Sequence, residues 1–180
     1  GEIVIHRAAA SARFPARFHL VMASNPCPCG QAFGRGDRCV CTAAARRRYM
    51  NRVSGPLLDR VDMWVGVEPV AALPIGAAPG EPSSVVGARV AAARAKQRER
   101  FSELGWKLNS EAPGAWLRDR LGHQRLARSG INRALELGLL SLRGADRVLR
   151  VAWTMCDLAG QETPTTDDID AAMALRRRGA

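Results

Sequence analysis

Hydrophobic and polar positions change rhythm several times along this chain. Glu2-Ile-Val-Ile-His6 alternates and predicts a short strand. Ala8–Arg13 is a small-residue segment, and Phe14-Pro15 ends what precedes it. Phe18–Ala23 is a continuous apolar run closed by a Pro-containing turn, the pattern of a strand buried on both faces of a parallel sheet. Residues 25–41, rich in Pro and Gly, predict a loop. Thr42 can cap a helix over about 43–53, which Gly55-Pro56 breaks. Leu57–Arg60 reads as a short turn, and Val61–Val67 as a second apolar strand.

From 85 onward the period is helical. Residues 68–84, rich in Pro and Gly, predict a linker between a first domain (1–67) and a second (85–180). Ser83 and Ser84 can cap a helix over about 85–104, with Val86, Val90, Ala93, Gln97 and Phe101 at helical spacing. Shorter helices are expected over about 114–121 and 124–137. A longer one, capped by Ser141, runs over about 142–159 with Val148, Val151, Ala152, Met155, Leu158 and Ala159 on one side. A last helix spans about 167–177, capped by Thr165-Thr166-Asp167. The expected fold class is α/β followed by α: two or three strands with a cysteine loop, then a small helical bundle.

Composition sharpens this picture. Aromatics are only 5%, so a core of Leu, Val and Ala is expected, which suits helices. The net charge of +10 favours contact with a polyanion. No stretch approaches the roughly 20 apolar residues that span a bilayer, and arginines interrupt the first twenty residues, so no membrane contact and a cytoplasmic location are expected. The chain opens on Gly and reads as a fragment or processed form.

Four of the five cysteines, Cys27, Cys29, Cys39 and Cys41, fall in a C-x-C-x9-C-x-C pattern. Four thiolates in a Gly/Pro-rich loop can form a closed tetrahedral zinc site. A bound metal would supply order that so few apolar residues cannot. Two disulfides, an iron–sulfur cluster and incidental thiols are the alternatives.

Three further residues stand out. Asn25 follows an apolar run, where it can orient a water, although an Asn before Pro is also an ordinary turn residue. Arg60 could project to a phosphate, or pair on the surface with Asp59 and Asp62. Arg143 lies in the first turn of a helix, against its dipole. An anion held there would explain it, and so would tolerance of an effect of only about 0.3–1 kcal/mol.

Four phrases carry a resemblance: Phe14–Gly30 with Asn-Pro-Cys-Pro-Cys-Gly; Cys-x-Cys at 39–41; Ser54-Gly-Pro-Leu-Leu-Asp-Arg-Val-Asp62; and Gly138-Leu-Leu-Ser-Leu-Arg-Gly-Ala-Asp-Arg-Val-Leu-Arg-Val-Ala152. In this order they resemble the C-terminal portion of the magnesium-chelatase-like AAA+ ATPases of the ComM/YifB type, over nearly the whole chain. The resemblance implies the last part of a P-loop ATPase core plus a helical lid. It implies a first sensor at Asn25, an arginine finger at Arg60 that reaches a neighbouring subunit's ATP, and a second sensor at Arg143. It also implies that the four cysteines are the family's metal element. The expected partners are neighbouring subunits of a homo-oligomeric ring and DNA, as in a branch-migration motor. An ATPase subunit that remodels a protein or chelatase complex, and a zinc-stabilised helical binding module, are the other readings. The P-loop G-x-x-x-x-G-K-[ST] and a strand ending in Asp-Glu do not occur in this sequence. ATP and Mg are therefore expected only for a full-length protein, and this chain alone should be inactive.

Overall fold

The structure, a computed structural model, describes residues 1–8, 10–68, 76, 80–123 and 129–176. Most of the expected linker (69–75, 77–79) and the start of the expected 124–137 helix (124–128) lie outside the described residues. By its contacts the chain forms two compact units, Gly1–Arg52 and Val53–Ala180.

The first unit opens with an antiparallel pair, β1 (Glu2–Arg7) and β2 (Ala10–Pro15), in register from Glu2 opposite Pro15 to Arg7 opposite Ala10. β1 falls where alternation placed it. β2 lies in the stretch read as a small-residue segment, because its partner's register, rather than its own side chains, makes it a strand. Every residue of both strands is exposed. The Cys loop follows. Then comes α1 (Ala43–Met50), whose first turn is capped by the Thr42 hydroxyl accepting from the Ala45 N–H at 3.2 Å.

Two strand expectations fail. Phe18–Ala23 is irregular and exposed, with Phe18 at 68% and Val21 at 77%. Val61–Val67 is likewise without strand pairing, with Val65 at 70% and Val67 at 76%. An apolar run becomes a central strand only when strands on both sides take its N–H and C=O groups. No other described segment pairs with either run.

The second unit is helical. Ser54 caps α2 (Gly55–Asp59), so Gly55-Pro56 starts a short helix where only a break and a turn were expected. α3 (Ser83–Arg100) begins at Pro82 with no side-chain cap, so neither serine serves as one. α4 (Gly114–Leu121), α5 (Gly130–Glu136), α6 (Leu142–Leu158) and α7 (Thr166–Arg176) complete the unit. Ser141 caps α6, accepting from the Gly144 N–H at 3.0 Å. Thr165 and Asp168 exchange backbone-to-side-chain bonds at the start of α7, a capping box.

α6 is the central helix. Ala145, Val148, Leu149, Ala152 and Trp153 are buried in one cluster with Phe101, Leu117, Ile131 and Ile169, and Cys156 is buried on the same helix. The apolar face is thus turned from the expected one: Trp153 and Leu149 face inward, and Leu158 is exposed. Phe101, Trp106, Trp116 and Trp153 meet edge-on or tilted with ring centroids 5.2–6.3 Å apart, so four of the nine aromatics are gathered in the core.

Candidate functional site

Two sites are built here, one in each unit. In the first, Cys27, Cys29, Cys39 and Cys41 bring their Sγ atoms within 4.8 Å of one another. The separations among Cys27, Cys29 and Cys39 run from 3.3 to 3.8 Å. A tetrahedral site with zinc–sulfur bonds of about 2.3 Å has sulfur edges of ~3.8 Å, so the donor set fits zinc. Local turns make this possible. The Gly30 N–H donates to the Cys27 carbonyl at 3.0 Å, and the Cys39 N–H to the Gly36 carbonyl at 2.9 Å. Gly30 and Gly36 hold φ of 76° and 72°, the left-handed region that closes each Cys-x-Cys knuckle.

All five cysteines are free thiols, which sets the disulfide alternative aside. The Gln31 backbone N–H, followed by the Cys27 thiol, pulls Cys29 down to about 6. Cys41 moves the other way, to about 11: the Cys29 backbone favours its thiolate, but the Cys29 thiol, burial and the Cys27 thiol outweigh that. The loop alone therefore cannot ionise all four sulfurs at neutral pH. A divalent cation would resolve that conflict by holding all four as thiolates. Cys156 is buried in the helical core, where burial and then the Asp157 charge push it up to about 11. It is inert packing. Asn25 is exposed beside the first knuckle, with its amide 3.8 Å from where a Cβ on Gly30 would sit.

In the second unit, residues 59–62 are gripped by two arginines from different helices. Arg176 of α7 donates to the Asp59 carboxylate at 2.6 Å, the Asp59 carbonyl at 3.0 Å and the Val61 carbonyl at 2.9 Å. Arg147 of α6 donates to the Arg60 carbonyl at 2.8 Å and pairs with the Asp62 carboxylate. The Trp64 N–H donates to the Leu175 carbonyl at 2.6 Å. Both carboxylates flanking Arg60 are thus taken by other cations, so the reading in which they pair with Arg60 does not hold. Among the described residues, the exposed Arg60 side chain donates only to the Pro56 carbonyl at 2.7 Å, one turn back.

Arg143 is exposed on the first turn of α6, one turn before Arg147, with no ion pair to a described residue. A cavity of ≈ 440 Å³ borders both neighbourhoods, lined by Leu58 and Asp59 on one side and Leu140 and Ser141 on the other. Arg60 and Arg143 therefore share one unit, while Asn25 and the cysteines belong to the other. Sequence reasoning missed Arg147 and Arg176. Each looks like one more arginine in an arginine-rich chain, and only the fold aims them at 59–62.

It also missed the carboxylate that ties α3 to α6. Asp157 is buried and pairs with Arg100, and also accepts from Gln97 at 3.1 Å and Asn109 at 2.9 Å. Arg100 in turn lies 4.5 Å from the Trp153 ring centroid.

The family models divide the chain between residues 73 and 80, whereas its contacts divide it after Arg52. Residues 1–73 match the model for magnesium chelatase, subunit ChlI, and residues 80–176 that for magnesium chelatase, subunit ChlI C-terminal. An uncharacterized protein of Mycobacterium tuberculosis is 45% identical over 180 residues, covering 100% of this chain and 35% of the relative. Competence protein ComM of Haemophilus influenzae is 38% identical over 178 residues, and YifB of Escherichia coli 36% over 189, each covering 98% of this chain and 34% of the relative. The chain spans about a third of the length of the curated relatives it matches. No described helix is long and apolar enough to cross a membrane. With its two halves matched in order and relatives aligned along nearly all of it, the chain belongs to the magnesium-chelatase-like family that includes YifB and ComM.

Proposed function

We propose that this chain is part of an ATP-dependent AAA+ motor that assembles as a homo-oligomeric ring and acts on DNA. In this reading residues 1–67 are the end of the ATPase core, 68–84 the linker and 85–180 the lid. The observation that carries it is Arg60: a cation flanked by two carboxylates, both of which are engaged by other arginines, so that its charge is left for an anion. As an arginine finger, Arg60 enters the neighbouring subunit's nucleotide site and stabilises charge spreading over the transferred phosphoryl group. Asn25 orients the attacking water. Arg143, at the start of a lid helix, answers to the nucleotide's phosphates and explains why a cation stands against the dipole.

The exposed apolar runs 18–23 and 61–67 support the same reading, since bare strand-forming segments are what part of a larger sheet leaves uncovered. The name of ComM, a competence protein, favours DNA as the substrate. Zinc held by the four cysteines would be a structural element that fixes the loop beside Asn25.

The test uses the protein expressed from its full reading frame. Arg60→Ala should lower ATP hydrolysis by about 10³-fold or more while ring assembly, followed by light scattering, stays intact. Hydrolysis within about tenfold of wild type would overturn the finger assignment. A rate that DNA leaves unchanged would move the reading to protein remodelling.

A further inference from the structure

The charge of this chain is unevenly placed. Residues 1–52 hold nine arginines against two acids, a net +7, whereas residues 53–180 hold 18 basic against 15 acidic residues, a net +3. Pairing follows the same divide. Among the described residues, six ion pairs lie in the second unit, Arg89–Glu81, Lys96–Glu162, Arg100–Asp157, Arg118–Asp146, Arg147–Asp62 and Arg176–Asp59, while in the first Arg13 pairs with Glu2 at 3.8 Å. Arg35, Arg38, Arg46, Arg47, Arg48 and Arg52 of the first unit are all exposed, and none forms an ion pair with a described residue. On α1 the half-buried positions are Ala45 and Tyr49, one turn apart, and Arg46, Arg47 and Arg48 between them are exposed.

The cysteine cluster ties these arginines together. Arg38 directly precedes Cys39, and α1 starts two residues after Cys41. A Cβ on Gly36 would stand 3.9 Å from the Arg46 guanidinium, so that side chain lies over the knuckle loop. Cations crowded without acidic partners repel one another, and a polyanion relieves that repulsion by releasing its own counterions.

We infer that the cysteine loop and α1 form a surface that binds the phosphodiester backbone of DNA, with Arg38, Arg47, Arg48 and Arg52 as its phosphate contacts. The inference rests on the DNA reading above and adds the element that makes the contact. It requires no base-edge contact, so the binding is independent of sequence and steep in salt. It also requires the cysteine cluster to be closed, because the cluster holds the two arginine segments in one place.

The experiment is fluorescence anisotropy of the full chain, purified with zinc, on a fluorescein-labelled duplex of about 30 base pairs between about 50 and 200 mM KCl. Wild type should bind with a steep salt slope. The triple variant Arg47→Gln, Arg48→Gln, Arg52→Gln should bind at least about tenfold more weakly, with a slope shallower by roughly 2–3. The corresponding triple Lys variant should stay within about threefold of wild type, since a phosphate contact needs the charge. Arg98→Gln with Arg133→Gln, exposed in the second unit, should change affinity by less than about twofold. Zinc removal by chelation should weaken binding as the triple Gln variant does. If that triple variant loses its zinc, Arg48→Glu and Arg52→Glu, tested singly, decide by the same readout.

Unchanged affinity and slope in the Gln variants beside a DNA-binding wild type would overturn this surface and leave the DNA reading standing. A wild-type chain without salt-dependent binding would overturn this surface whatever the DNA reading. Displacement by polyglutamate as readily as by unlabelled duplex would overturn it in favour of an acidic protein partner.

Discussion

Residues 1–52 bury one described side chain completely, and it is a cysteine, Cys27. Residues 53–176 bury a core of Leu, Ile, Val, Ala, Phe and Trp side chains around α6 and lock a carboxylate, Asp157, inside it. The same arginine-rich composition serves both units, yet its use differs. In the helical unit arginines are structural: Arg100, Arg147 and Arg176 each bridge two elements through carboxylates and carbonyls. In the cysteine unit they stand in solvent beside a cluster of thiols. Order in the second unit comes from removing apolar surface from water. In the first it must come from something other than burial, and the sulfur geometry points to a metal.

The sharpest way to break this contrast is to take the metal away. Zinc analysis of the purified chain should give close to one equivalent, and less than about half would remove the metal from the account. Structural zinc in such loops is worth about 10–16 kcal/mol. Cys27→Ser or chelation should therefore unfold the loop and α1, read as lost amide protection over 25–52, while the tryptophan signal of the helical unit persists. Protons compete with zinc for the same sulfurs. Cys41, held up at about 11, is protonated at neutral pH, so zinc affinity should fall as pH is lowered from about 8 to about 6.

Next in size is the buried carboxylate. Asp157→Ala leaves Arg100 without its charge partner, takes the acceptor from the Gln97 amide and leaves that of Asn109 with Thr154 alone. A loss of about 3–5 kcal/mol is expected in urea unfolding followed by tryptophan fluorescence, with zinc content unchanged. A loss below about 1 kcal/mol would show that the network matters little to the core.

The smallest effect should come from the clamp on residues 59–62. Asp62 and Asp59 are about half exposed, so screening limits each pair to roughly 1 kcal/mol. Arg147→Gln should cost about that much, yet raise hydrogen exchange of the amides around 60–64 and leave those of α3 unchanged. Equal exchange in both segments would mean that Arg147 stabilises the unit as a whole instead of holding the Arg60 segment.

Most helices were legible in the sequence, each for a local reason: Thr42, Ser141 and Thr165 as caps, Gly160 as a stop, and apolar residues at helical spacing. The cysteine spacing was legible for the same reason, since the ligands lie within fifteen residues and their turns are encoded by Gly30 and Gly36. The two failed strands are non-local in origin. Phe18–Ala23 and Val61–Val67 have the composition of central strands, but strand pairing depends on residues far away in sequence, and the described chain supplies none to them.

By itself, then, the sequence determined the caps, the cysteine knuckles, the helical periods and the family, because each depends on residues close together or on phrases in fixed order. Only the tertiary structure decided which arginines are spent. It carried Arg147 and Arg176 across 85 and 117 residues to Asp62 and Asp59. Among the described residues it left Arg60 and the arginines of α1 without carboxylates. A guanidinium looks the same wherever it stands in a sequence, and its role is set by which anion the fold brings within reach.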